Sequence, residues 1–173
     1  MSVMEQVAQR IEAAAALDSL ARFVRSQGHR LLVEPRAVDR ALSGDWFGHP
    51  IHPVAAQVPL GAWLMAVLLD LRGPQRHAEA VDTLLLTGCL AAVPTAATGL
   101  HDLATTSGAS TRVGLVHAAT MDVTLGLFAV AWVKRRRGDR GTARRLALAG
   151  AATAGIGAYL GGHLVFRRGV GVS

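Results

Sequence analysis

The sequence predicts an all-α fold: an antiparallel four-helix transmembrane bundle preceded by an N-terminal amphipathic helical segment. Three observations carry that expectation. Of the 173 residues, 51% are hydrophobic and 17% charged, against about 25% charged in a typical soluble domain. Four apolar runs lie near 54–71, 83–101, 113–133 and 146–166, each about 18–21 residues, the length a bilayer core needs. Short connections join them, which favours antiparallel neighbours.

Residues 1–45 read as the amphipathic segment and 46–173 as the four-span membrane domain. Met4, Val7, Ile11, Ala14, Leu17, Ala21 and Val24 recur every three to four positions, so a helix is expected over 3–26, ended by Gly28. A second helix starts at Pro35 and stops near Ser43 and Gly44. These helices lie on the membrane surface or pack as solvated helices on a partner. Charges run throughout residues 1–24, unlike a secretory signal.

The spans hold few ionisable groups. Asp70 closes the first, where it caps the helix or pairs with Arg72 or Arg76. His117 and Asp122 lie in the third and His163 in the fourth. A soluble bundle would need polar faces that these segments lack. Pro59 and Pro94 favour kinks, with Thr95 and Thr98 near enough to satisfy freed carbonyls. Gly150, Ala154, Ala158 and Gly162 make a stripe of small residues that marks a close helix contact.

The net charge is +6, and its excess falls between Lys134 and Arg145. A basic run between two apolar stretches reads as a topology signal and not as a nucleic-acid surface. By the positive-inside rule the first and third connections are cytoplasmic. The chain is then a multi-pass protein of the bacterial inner (plasma) membrane, with both termini and the histidine cluster on the outer side. The single Cys89 holds no iron–sulfur cluster by itself.

Threading the helices up and down gathers five of the seven histidines at one rim: His49 and His52 before the first span, His101 ending the second, His117 and His163 one turn inside the third and fourth. His49 and His52 each precede a proline, so that stretch is extended and the two cannot share one ion without a sharp turn. Two readings follow. A haem takes two axial imidazoles from different helices, drawn from His52, His117 and His163. A transition-metal ion takes three or four ligands from His49, His52, His117, His163 and Asp102, or Asp102 orients a ligand ring from behind. Asp122, halfway along the third span, is a candidate proton relay, although it lies about 140° round the helix from His117. No phosphate-binding glycine loop, nucleophile elbow or His-Glu-x-x-His is found, so the isolated chain is not expected to be an enzyme.

The stretch Gly48-His49-Pro50-Ile51-His52-Pro53, then Val58-Pro59-Leu60-Gly61-Ala62-Trp63 and Asp70, resembles the domain-of-unknown-function 2231 family of bacterial membrane proteins. Thr98-Gly99-Leu100 with Asp102, Arg112-Val113-Gly114-Leu115-Val116-His117-Ala118, Gly161-Gly162-His163-Leu164-Val165 and Gly169-Val170-Gly171-Val172 extend the resemblance over roughly residues 40–172. His101 departs from the family pattern, which fixes the Asp at 102. The resemblance implies four spans. Some relatives are fused to a Rieske iron–sulfur domain, which implies electron transfer with a separate Rieske-type or other redox protein as partner; the histidine layout itself suggests haem b or a transition-metal ion as cofactor. Beside this redox reading stand two others: a metal-ion-binding membrane module, and a non-catalytic anchor or assembly subunit of a larger complex, in either case within the lipid bilayer and open to oligomerisation.

Overall fold

Four long helices dominate the computed structural model, which describes residues 2–73 and 75–171. Val172, last in the C-terminal motif, lies outside the described residues, as do Met1 and Ser173. The described residues form helices and turns without a strand, and the four apolar helices make a bundle. The first span comprises two pieces, α4 (Ile51–Ala55) and α5 (Gln57–Arg72). The others are α6 (Ala78–Thr105), α7 (Ala109–Arg136) and α8 (Arg140–Arg168).

These spans outrun the apolar windows that announce them. A helix of 28 residues such as α6 reaches about 42 Å, enough for hydrocarbon and headgroups together. Polar flanks such as Lys134–Arg136 therefore stay helical, and the α7–α8 connection shrinks to residues 137–139. Gly138, at φ 83°, makes that turn, and Asp139 accepts a hydrogen bond from the Thr142 amide at 3.1 Å. Only 22% of the apolar window of α6, of α7 and of α8 is buried within the protein. So much uncovered apolar surface suits lipid and not water.

The prolines act differently. Pro59 cannot donate to Ala55, and the helix breaks there, between α4 and α5 at Ala56. Pro94 stays inside a continuous α6. Thr95 donates its hydroxyl to the Ala91 carbonyl at 2.9 Å, and the Thr98 hydroxyl meets His52 Nδ1 at 3.1 Å.

The N-terminal segment is more broken than its periodicity suggests. It holds α1 (Val3–Ala13), a 3-10 turn over Ala15–Leu17, α2 (Asp18–Gly28), a π turn over His29–Val33 and α3 (Arg36–Ser43). Ser2 and Glu5 form a capping box on α1. Ala14 leaves the helical region (ψ 78°), and the chain resumes at Asp18, which is held by an arginine of α7. Gly28 ends α2, although the chain runs on directly into the π turn. A Cβ there would sit 3.2 Å from Ala104 Cβ, so the glycine permits close approach to α6. Gly44 ends α3, at φ 88°.

The chain divides into two compact units. One comprises Met1–Pro53, Ala96–Ala119 and Gly157–Ser173. Its core is Val113, Leu160 and Leu164, packed with Ile11, Val116 and Tyr159. Three carboxylates of the N-terminal segment meet cationic or imidazole groups of the spans: Asp18 with Arg112 at 2.6 Å, Glu12 with His163 at 2.8 Å and Asp39 with His101 at 2.8 Å.

The other unit comprises Val54–Thr95 and Thr120–Ile156. Trp63 stacks on Phe128 with ring centroids 4.7 Å apart, and Gly88 and Gly150 give the two rings room. Asp70 pairs with neither Arg72 nor Arg76, as the sequence suggested. Arg135, its side chain 3% exposed, donates to Asp70 at 2.6 Å and to Asp82, and also to the Ala78 carbonyl at 3.2 Å. Arg144 lies 3.6 Å from the other oxygen of Asp70. A buried carboxylate takes the guanidinium that matches its fork, and the sequence alone does not distinguish an arginine two residues away from one 65 residues away.

Candidate functional site

The first unit holds the imidazoles. His52 opens α4 and His117 lies two turns into α7; their rings are 6.3 Å apart and nearly perpendicular, at 86°. Both rest against helix backbone. A Cβ at Gly99 would lie 2.7 Å from His52 Cε1, and one at Gly161 would lie 3.1 Å from His117 Cε1. The glycines therefore matter because the imidazoles occupy the space that side chains would fill.

The ring nitrogens can be assigned from their partners. His117 Nδ1 lies 2.9 Å from the Gly157 carbonyl, which only accepts, so Nδ1 carries the proton and the neutral ring presents its lone pair at Nε2. His52 Nδ1 lies 3.1 Å from the Thr98 hydroxyl. A hydroxyl donates or accepts, so His52 keeps this bond whichever nitrogen holds its proton.

His101 is 5% exposed and has a carboxylate at each ring nitrogen. Nε2 donates to Asp39 Oδ1 at 2.8 Å. Nδ1, 3.5 Å from Asp102 Oδ1, has no hydrogen-bond partner among the described residues. A lone pair on Nδ1 facing an ionised oxygen is repulsive. The Asp39–His101–Asp102 set is thus best satisfied by one more proton, on Nδ1 or on Asp102. His52 is within electrostatic reach of the same Asp102 carboxylate.

The remaining candidates lie apart from this group. His49 is exposed in the bend before α4. His163 stacks on Tyr159 with centroids 6.5 Å apart and binds Glu12. This pair borders an open groove of about 610 Å³ between α1 and the end of α8. Asp122, in the other unit, is exposed midway along α7 and makes no hydrogen bond or ion pair with any described residue. An ionised carboxylate at the centre of a span costs about 2.5–3.5 kcal/mol.

Which cofactors these residues fit follows from the contacts. Backbone of α6 and α8 lies against both rings of the His52–His117 pair. For a metal ion the pair supplies two ligands, short of the three or four of a zinc site. No group of three or more His, Cys, Asp or Glu arranged to hold an ion occurs among the described residues. Asp39, Glu12, Thr98 and the two glycines were not singled out as site residues from sequence. Asp39 and Glu12 resemble any solvated acid on an amphipathic helix. Thr98-Gly99 and Gly161 carried a signal only as family-like motifs.

Residues 48–173 match the family described as a predicted membrane protein (DUF2231), and the chain belongs to that family. No curated protein and no solved structure matches the chain.

Proposed function

We propose, on the premise of that membership, that this protein is a membrane-embedded subunit that takes up and releases a proton for a redox assembly. The observation that carries the reading is His101, buried with a carboxylate at each ring nitrogen. Such a triad gains or loses a proton with little movement of its atoms. Asp102 links it to His52, whose bond to Thr98 survives a change of tautomer, and His117 stands beside His52 with a fixed Nδ1 proton. Chains of Asp and His within spans are the usual makings of proton relays. The redox setting rests on the similarity to relatives fused to a Rieske iron–sulfur domain; the partner here would be a separate redox protein. The basic α7–α8 connection supports an orientation in the bacterial plasma membrane with the termini and the imidazoles outward.

The test is nitrogen-15 NMR of the histidine rings, with infrared spectroscopy of the carboxyl groups, in lipid nanodiscs. A doubly protonated His101 or a protonated Asp102 is expected, lost in Asp102→Asn. The reading fails if His101 stays neutral beside an ionised Asp102 and neither group exchanges a proton. It also fails if the purified protein shows a Soret band that His52→Ala and His117→Ala abolish, for a haem would then occupy those nitrogens.

A further inference from the structure

Asp122 lies ten residues after Arg112 and twelve before Lys134, which puts it at the middle of the α7 span. Its side chain is directed outward, and the protein supplies no partner for it among the described residues. Lipid tails have no donor to offer. Val123 and Val130, about 80–100° round the helix from it, are 56% and 47% exposed. Gly126, one turn on, has nothing within 4 Å of the position a Cβ would take. The face is therefore shallow, small-sided and polar at one point, the form that lets two spans approach closely.

We infer that two copies of this chain pack along α7 about a twofold axis, with the Asp122 carboxyl of one copy hydrogen-bonded to that of the other. A protonated carboxyl donates through its O–H and accepts through its carbonyl oxygen, so two identical neutral side chains complete each other reciprocally. Parallel spans related by a twofold axis bring each residue to its own mate at equal depth, and such isologous pairs are the commonest oligomers. No residue of another type is required. The pair replaces two lipid-facing carboxyls by one uncharged, hydrogen-bonded unit, while Gly126 lets the backbones close enough for the short side chains to meet. This inference is independent of the proton-handling reading of His101.

The experiment counts subunits of the full-length protein by single-molecule photobleaching in bilayers of defined lipid. Wild type should be dimeric. Asp122→Leu should weaken the dimer by about tenfold or more, whereas Asp122→Asn, whose amide both donates and accepts, should keep most of it. Because Asp122→Leu could misfold, disulfide cross-linking in membranes provides a second measurement. In a Cys89→Ser background with Asp122 intact, Gly126→Cys should cross-link and Leu90→Cys, exposed on α6, should not. A monomeric wild type overturns the inference. So does a dimer indifferent to Asp122→Leu, or cross-linking at position 90 in place of position 126.

Discussion

Replacing Gly99 by Ala tests whether helix backbone seats His52. The added methyl would stand 2.7 Å from His52 Cε1, 3.1 Å from Nδ1 and 3.2 Å from Nε2. Carbon atoms prefer about 3.5–4.0 Å, so the overlap with Cε1 is roughly 0.8–1.3 Å and falls on three ring atoms together. Overpacking of this kind costs about 1–3 kcal/mol. Ala gains up to about 1 kcal/mol over Gly in helix propensity, which would hide part of that cost. Gly61→Ala removes the ambiguity: Gly61 is also helical and has nothing within 4 Å of its Cβ position. The propensity gain is common to both variants, so Gly99→Ala should be less stable than Gly61→Ala by about 1–3 kcal/mol. Unfolding by SDS titration in mixed micelles, followed by tryptophan fluorescence, measures the difference. The His52 ring resonances should move in Gly99→Ala as the 3.1 Å bond to Thr98 is disturbed. Equal stabilities with an unmoved His52 would refute the seating.

Three further outcomes are expected. Arg135→Met should destabilise the protein by about 3–5 kcal/mol, because it leaves buried Asp70 with only the more distant Arg144; adding Asp70→Asn and Asp82→Asn should recover much of the loss in the same titration. Asp18 is held below its ordinary value of 3.8 by its hydrogen bond to Arg112. A lowered carboxyl stabilises the fold above the unfolded value and ceases to do so as pH falls through the folded one. Proteolytic protection of the N-terminal segment should therefore be full above pH 3.8 and decline below it, and Asp18→Asn should flatten that dependence. A double-mutant cycle of Glu12→Gln and His163→Gln should return a coupling of about 1–2 kcal/mol, since both side chains are largely covered; a value near zero would mean that the 2.8 Å contact confers nothing.

Hydrophobic length made the spans legible, because the bilayer imposes one rule on every residue of a long run. The same rule hid their ends. Lys134, Arg135 and Arg136 read as connection, yet they are helical, since the headgroup zone tolerates charge where the hydrocarbon does not. His52 and His117 were legible as neighbours from alternation of helix direction alone. Their chemistry was not, because the decisive groups are a carbonyl (Gly157) and a missing Cβ (Gly99, Gly161). Neither leaves a side-chain signature. Arg135 was opaque for a related reason: one guanidinium among seven basic residues near the α7–α8 turn is buried, and only three-dimensional packing selects it.

The least legible part of the site is also the part outside the stretch matched by the family model, which begins at residue 48. Glu12, Asp18 and Asp39 each find one nitrogen base of the spans, at His163, Arg112 and His101. The segment 1–53 is neutral only because six arginines offset six acids, so these three contacts come from placement and not from bulk attraction. His101 makes the point sharply. Its Nε2 partner Asp39 comes from the segment that precedes the matched residues. Imidazole and carboxylate therefore belong together: with Asp39 gone, Nε2 of a buried ring would lose its acceptor, and with His101 gone, Asp39 would have no reason to be held at α6. The N-terminal helices are therefore more than a surface appendage: α3 supplies the acid that the buried imidazole of α6 needs.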